Sequence, residues 1–313
     1  MHKKQKFWFG FIFLIVLIAG CSFMGFLDAK SLDVSFFEEK VHEVEIYDED
    51  DLAAMKGSFY NNICYLKEDI VVNNVSMLAS QKHPFIGVFD GQGHTIIFSG
   101  KTSDSLFGYI GEGGVVKNLH IQMTGADFDK RIGAILALEN AGKIINCKIT
   151  VQNATVSAKG SFAGVVAINR GTIKNAVVDV LMTKRMPIEE EENTRPLIIG
   201  AVCAYNYGDI FYSLATVVYE DFPEADKHEV FNASHNNEGI GAIYGINNRN
   251  GGVVQCVTLV EDTLYSSDQK DKEISFEFDE ADVFDADRIF FDLLFDDELW
   301  ILRGYSLDLI RGD

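Results

Sequence analysis

One short pattern recurs five times between Phe85 and Val260, and it limits the folds open to this chain more than any other feature. Each copy has a glycine among apolar residues, then a glycine-containing turn, then a second apolar run with a polar residue at a matched place. The glycines are Gly108, Gly133, Gly164, Gly200 and Gly241. Such self-similarity is typical of repeat architectures, in which successive copies stack. We therefore expect an all-β solenoid over residues 85–260.

The polar residue of each second run predicts a ladder of side chains that stabilises the stack. These residues are Asn118, Asn146, Asn175, Ser213 and Gln255. Equivalent side chains on neighbouring parallel strands lie about 4.8 Å apart. At that spacing an amide can bond to the backbone or to the next amide, so a structural role is favoured over ligand binding. The repeat glycines mark places where the backbone turns or approaches its neighbour without room for a Cβ.

The pattern of residues 44–84 predicts a cap on the first repeat. A stack of repeats needs such a cap because its first strands would otherwise form an open edge. Val44–Tyr47 has the alternation of a short strand. The acidic run Asp48–Asp51 resembles a cation site, but its place before an apolar segment favours the capped start of a short helix. Ile63–Leu66 and Asp69–Val72 are typical of strands.

Residues 261–313 predict a second cap. Acidic residues alternate with aromatic ones between Glu273 and Glu298, which favours aromatic side chains against the last repeat and charges in water. Closing strands are expected at Trp300–Leu302 and Leu307–Ile310. At the start of the repeats, the turn residues within Phe89–Ile96 predict a tight reversal between strands.

Two insertions, Thr183–Pro196 and Glu220–Glu238, widen the later repeats. Insertions in repeat proteins map to loops and often bind partners. The alternative is a solvated, mobile loop in each place, and that interpretation is favoured.

Residues 1–27 have the pattern of an export signal or membrane anchor. A basic start precedes the uncharged run Phe7–Gly20, and Ile18–Cys21 resembles a bacterial lipoprotein cleavage site, which implies lipidation of Cys21. The alternative is an uncleaved anchor, because the uncharged run continues to Leu27 and approaches the ~20 residues that span a bilayer.

Both alternatives place the later residues on the extracytoplasmic face of the cell membrane, with residues 28–43 as a spacer. A formal net charge of -20 argues against nucleic acid as a partner, since phosphates would be repelled. The remaining cysteines are expected as buried free thiols, because their spacings match no disulfide scaffold. They are Cys64, Cys147, Cys203 and Cys256.

Several segments together resemble the GLUG-motif proteins, which are bacterial cell-surface proteins. The matching segments are Leu66–Ile70, Phe89–Ile96, Leu106–Ile110, Val116–Leu119, Gly171–Asn175 and Phe295–Trp300. This resemblance implies a right-handed parallel β-helix and a surface-exposed, adhesin-like module. The long insertions and the altered glycine signature, as at Arg131–Gly133, depart from the family pattern.

The sequence favours binding over catalysis and indicates no cofactor or metal. It lacks the His-Glu-x-x-His, Gly-x-Ser-x-Gly and phosphate-loop patterns. A polysaccharide lyase or hydrolase remains the enzymatic alternative, with Asp127–Arg131 as the densest mixed-charge cluster outside the insertions. A structural spacer or assembly component is a third possibility. The expected function is a membrane-tethered module that binds a glycan or protein ligand and catalyses nothing.

Overall fold

The chain is described here by a computed structural model. The described residues are 41–55, 61–73, 77–99, 105–125, 127–128, 132–156, 161–185, 198–219, 239–241, 243–247, 251–260, 263–269, 272–277, 289–290, 293–303 and 306–311. From His42 onward they belong to one unit. The expected all-β class is confirmed, because this part of the chain forms mostly parallel sheets with one short α-helix.

The N-terminal elements, for which the sequence predicts a cap, extend two of the sheets. They are β1 (Glu43–Ile46), α1 (Glu49–Ala54), β2 (Ile63–Leu66) and β3 (Ile70–Val72). The side chain of Asp48 accepts a hydrogen bond from Asp51 N at 2.9 Å, which confirms the predicted helix cap. Because β2 pairs in parallel with the next strand of an eight-stranded sheet, the parallel stacking already includes Ile63–Leu66.

Six strands follow, and they correct the expected reversal at Phe89–Ile96. They are β4 (Val88–Asp90), β5 (Thr95–Phe98), β6 (Phe107–Ile110), β7 (Val115–Lys117), β8 (His120–Thr124) and β9 (Asp127–Phe128). Strand β4 lies in the eight-stranded sheet and β5 in a ten-stranded sheet, so the intervening turn is a corner between sheets and not a hairpin.

The next four copies each contribute four strands in one fixed order. The strands are β10 (Ile132–Ala134), β11 (Ala137–Asn140), β12 (Lys143–Ile145), β13 (Lys148–Val156), β14 (Ser161–Ala163), β15 (Val166–Asn169), β16 (Thr172–Lys174), β17 (Val177–Arg185), β18 (Ile198–Gly200), β19 (Cys203–Asn206), β20 (Asp209–Phe211), β21 (Leu214–Tyr219), β22 (Gly239–Gly241), β23 (Tyr244–Asn247), β24 (Gly252–Val254) and β25 (Cys256–Val260). In every copy the strands join a four-, a five-, an eight- and a ten-stranded sheet in turn.

Buried apolar columns hold these sheets together. In the eight-stranded sheet, one column is fully buried on β4, β7, β12, β16 and β20. Its members are Phe89, Val116, Ile144, Ile173 and Ile210. The ten-stranded sheet has a matching column of Ile96, Ile121, Ile149 and Val178. The predicted free thiols are confirmed, since all four described cysteines are unpaired and buried.

The repeat glycines do not share one register position, contrary to the expected alignment. Gly200 pairs with Gly241, whereas Gly133 pairs with Phe162. Gly108 lies in β6 of the five-stranded sheet, away from the four-stranded sheet that contains Gly133. Some of these positions still lack room for a side chain, because a Cβ at Gly164 would lie 2.5 Å from Ala201 O.

A different set of glycines forms a continuous column. It precedes the first residue of successive strands in the eight-stranded sheet and comprises Gly87, Gly114, Gly142, Gly171, Gly208 and Gly251. The N–H of Thr172 donates to Gly142 O at 2.9 Å, and Asp209 N donates to Gly171 O at the same distance. A Cβ at Gly171 would lie only 2.1 Å from Gly142 O, so the close stacking of the chain requires glycine here.

The observed polar ladder differs from the expected one at one residue, and its side chains bond to two different kinds of partner. Register places Tyr212, not Ser213, beside Asn175 and Gln255, because the later insertions shift the apparent spacing. The aligned residues share a left-handed backbone with φ of 52° at Asn118, Asn146 and Asn175, 49° at Tyr212 and 48° at Gln255. The Asn146 amide donates to Asn118 Oδ1 at 3.3 Å, but Asn175 Nδ2 donates to Leu294 O in the C-terminal segment at 3.0 Å.

A second, buried amide ladder was not anticipated. Asn140 donates to Asn169 Oδ1 at 2.9 Å, Asn169 donates to Asn206 Oδ1 at 2.9 Å, and Asn206 donates to Asn247 Oδ1 at 3.0 Å. The first three side chains are fully buried. Each link satisfies a polar group that would otherwise be stranded in the core.

The C-terminal segment contains two hairpins: the first adds antiparallel strands to the ten-stranded sheet beside β25 of the last repeat, and the second packs on the side of that sheet opposite the core. Its strands are β26 (Thr263–Gln269), β27 (Lys272–Glu277), β28 (Trp300–Arg303) and β29 (Ser306–Leu309). The last two confirm the predicted closing strands and form an antiparallel hairpin. Trp300 and Leu307 are buried against Val177 and Leu214, because these outward positions of β17 and β21 are apolar and need covering.

Candidate functional site

A cavity of about 540 Å³ lies between the C-terminal hairpin and the first strands of the ten-stranded sheet. It is lined by Gly93, Thr95, His120, Ile301, Arg303, Asp308, Leu309, Ile310 and Arg311. Thr95 and His120 start β5 and β8 and are paired in register, with their side chains on the face opposite the buried isoleucines. The cavity therefore joins residues from the early strands of the ten-stranded sheet with residues of the C-terminal hairpin.

Gly93 allows the hairpin to approach this wall. Its φ is +80°, which glycine adopts readily. A Cβ added there would lie 2.3 Å from Ile310 O, so any larger residue would push the end of the hairpin away. Arg311 then reaches Asp69, with which its guanidinium forms an ion pair.

Lys148 fixes the hairpin beside the cavity. Its ammonium group donates to Asp308 Oδ1 at 2.7 Å, Leu307 O at 3.0 Å and Ser306 Oγ at 3.1 Å. Partial burial acts to raise the pKa of Asp308, but the hydrogen bond and the charge of Lys148 outweigh it and lower that pKa below its usual value. The Asp308 carboxylate is consequently held in its charged form.

His120 is held as a neutral hydrogen-bonding group. Its Nδ1 lies 3.2 Å from Thr95 Oγ1 and its Nε2 lies 3.1 Å from Thr150 Oγ1. Burial, and secondarily the positive charge of Lys148, lower the pKa of His120 to about 4. With both ring nitrogens engaged and the ring uncharged near neutral pH, this histidine is poorly suited to general acid–base catalysis.

The remaining lining combines cationic and apolar groups. Arg303 and Arg311 are exposed at the mouth and offer planar guanidinium donors, which match carboxylate and hydroxyl oxygens well. Ile301 and Leu309 supply apolar surface. A cavity of this size, with both polar and apolar groups in its lining, suits a small polar ligand.

The residues singled out in the sequence lie in the scaffold or outside the described residues. The repeat glycines and the polar ladder do not line this cavity. Cys21 lies outside the described part, as do Asp129, Lys130 and Arg131, while Asp127 belongs to β9. Residues 186–197 and 220–238, which make up most of the two insertions, are also outside it. Within the ranges described, three or more metal-binding side chains do not come together at any point.

The cavity residues themselves were missed by the sequence analysis. Thr95, His120 and Lys148 follow one another in register, but their alignment depends on sheet pairing that no local pattern reveals. The sequence does contain one signal, because Arg303 and Arg311 flank a predicted strand in an otherwise acidic C-terminal region.

Comparisons with protein families, curated proteins and solved structures gave no match to this chain. Among the described residues, the helical segments are too short or too polar to cross a membrane.

Proposed function

We propose that this chain is a right-handed parallel β-helix that acts as a tethered, extracytoplasmic binding module, similar to the GLUG-motif surface proteins. The fixed order in which each copy contributes strands to four sheets supports a solenoid. Parallel pairing of equivalent strands supports the same arrangement, and crossovers between parallel strands are overwhelmingly right-handed.

The cavity beneath the C-terminal hairpin is the proposed binding site, and a terminal sugar of a glycan is its proposed ligand. The observation that carries this proposal is the convergence of Thr95, Arg303 and Arg311 on a cavity of about 540 Å³. Hydroxyl and guanidinium groups bond to sugar oxygens, while Ile301 and Leu309 offer apolar contact. His120 is neutral and both of its ring nitrogens are hydrogen-bonded, which favours binding over hydrolysis.

A glycan panel on the full-length, detergent-extracted protein tests this function. Arg303→Ala is expected to weaken binding of a positive glycan about tenfold, as loss of a charge-assisted hydrogen bond would. Arg170→Ala is the matched control, because this exposed arginine pairs with Glu139 away from the cavity. Equal binding by both variants, or release of new reducing or unsaturated ends from a polysaccharide, would contradict the proposal.

The tether is tested separately by mass spectrometry of the membrane-extracted protein. A lipid on Cys21 with loss of the preceding residues supports a lipoprotein. An unmodified N-terminal segment that remains in the membrane fraction supports the uncleaved anchor. Recovery of the intact protein in the soluble fraction would contradict both.

A further inference from the structure

The solvent face of the eight-stranded sheet carries a row of lysines on three successive strands. Lys117 on β7, Lys143 on β12 and Lys174 on β16 flank the buried column of Val116, Ile144 and Ile173, so alternation places their side chains on the opposite face. Lys143 and Lys174 are exposed, and the Lys117 side chain is 38% exposed. We call these three residues the lysine row.

The acidic residues near this row leave it predominantly cationic. Lys117 pairs with Asp90 at 2.9 Å, and Asp209 lies two strands beyond Lys143 in the same column. Lys143 and Lys174 therefore form a local cationic surface on a chain whose formal net charge is -20. Such a surface attracts a polyanion locally, although the rest of the molecule repels it.

An aromatic pair continues the row on the next strand. The rings of Phe211 and Tyr212 are both half-buried, with centroids 6.1 Å apart and planes inclined at 33°. The Lys174 ammonium lies 5.8 Å from the centre of the Tyr212 ring. Aromatic faces beside cationic groups can contact the apolar face of a sugar while the cation binds its carboxylate.

We propose that the lysine row and the Phe211–Tyr212 pair form a docking surface for a linear acidic polysaccharide. Lys117 and Lys174 share a register column with Ile145 between them, so they lie two strand spacings, about 10 Å, apart, and Lys143 lies two residues from Ile145 along β12. Positive charges at such intervals suit an extended polymer with a repeated carboxylate. The surface is separate from the cavity and does not depend on its proposed ligand.

Binding of polygalacturonate to the full-length protein tests this surface, with neutral dextran as the control polymer. Lys143→Glu and Lys174→Glu are each expected to raise the Kd for polygalacturonate about tenfold at low salt, and added salt should weaken wild-type binding. Lys82→Glu is the matched control, because this exposed residue lies outside the row and undergoes the same change of charge.

Several outcomes would overturn the proposal. One is an equal loss of binding in Lys82→Glu, which would indicate a general charge effect. Another is loss in Arg303→Ala without loss in the row variants, which would assign the polymer to the cavity. A third is binding to vesicles containing anionic lipid while polygalacturonate does not bind, which would assign the row to a membrane surface. Loss of glycan-panel binding with retained polygalacturonate binding would contradict only the cavity proposal.

Discussion

The ammonium nitrogen of Lys148 lies 2.7 Å from a carboxylate oxygen of Asp308, although the two residues are 160 positions apart in the chain. The Lys148 side chain is only 5% exposed, whereas the Asp308 side chain is 35% exposed. The ammonium group also donates to Ser306 Oγ and Leu307 O of the hairpin, and it lies 3.6 Å from a carboxylate oxygen of Asp179 on β17. A buried cation therefore attaches the last described strand to the ten-stranded sheet and completes the cavity.

Replacing Lys148 with methionine is expected to destabilise the protein by about 2 kcal/mol. Methionine keeps most of the volume but leaves Leu307 O and Asp308 without their donor and Asp179 without its positively charged partner. The partial exposure of Asp308 allows water to replace some of the interaction, so the loss should be smaller than for a fully buried pair. Urea unfolding followed by fluorescence reports on the hairpin directly, because Trp300 is buried there.

Lys143→Met provides the control for that substitution, since Lys143 is an exposed lysine at the start of its strand. It should change the unfolding free energy by less than about 0.5 kcal/mol. Similar losses in the two variants would show that the Lys148 contacts do not hold the hairpin.

Stability should fall between pH 6.5 and pH 4 because of His120. Burial lowers its folded-state pKa to about 4, so in this window the unfolded chain binds a proton that the folded chain does not. Stability must then decrease as pH falls, by about 2 kcal/mol once partial exposure of the ring is taken into account. Unfolding free energies measured across this range should be less pH-dependent in His120→Gln. An identical pH dependence in the variant would remove His120 as the cause.

Local sequence signals were sufficient for individual elements but not for their alignment. The acidic run before Leu52 predicted a capped helix, since capping depends on neighbouring residues alone. By contrast, Leu106–Phe107–Gly108 and Arg131–Ile132–Gly133 look alike, yet the two glycines lie in different sheets. Short apolar runs show that a strand exists without showing its partner. The cavity was missed for the same reason, because it needs contacts between residues about 180 or more positions apart in the chain, such as Thr95 and Arg303.

For the buried amide ladder, the sequence does contain a recurring pattern that marks its residues. Asn-x-Gly recurs as Asn140–Gly142, Asn169–Gly171 and Asn206–Gly208. In the first two copies the asparagine oxygen accepts from the backbone of the glycine two residues later, at 3.0 Å from Gly142 N and 3.3 Å from Gly171 N. A local turn thus fixes the side chain, and stacking of the copies then joins the amides.

Asn169→Ala should destabilise the protein by about 3 kcal/mol or more. The substitution leaves the Asn140 amide nitrogen without its acceptor and Asn206 Oδ1 without its donor, and each stranded buried group costs roughly 1–3 kcal/mol. Chemical denaturation measures the loss. Glu112→Ala, at an exposed turn position, should be nearly neutral. A loss below about 1 kcal/mol for Asn169→Ala would show that water or rearrangement satisfies the ladder.

Gly171→Ala and Gly125→Ala separate steric crowding from backbone strain. At Gly171 the added Cβ would lie 2.1 Å from Gly142 O, and relief requires breaking the 2.9 Å bond from Thr172 N to that oxygen. We expect a loss of about 3 kcal/mol or more, since a buried backbone contact must open. Gly125 has no atom within 4 Å of its added Cβ but has a φ of +75°, so alanine there should cost only about 1 kcal/mol. Thermal and urea unfolding of both variants measure the difference. If Gly171→Ala lowered the unfolding free energy no more than Gly125→Ala, the backbone at the glycine column would be less tightly packed than the hydrogen bonds between successive repeats indicate.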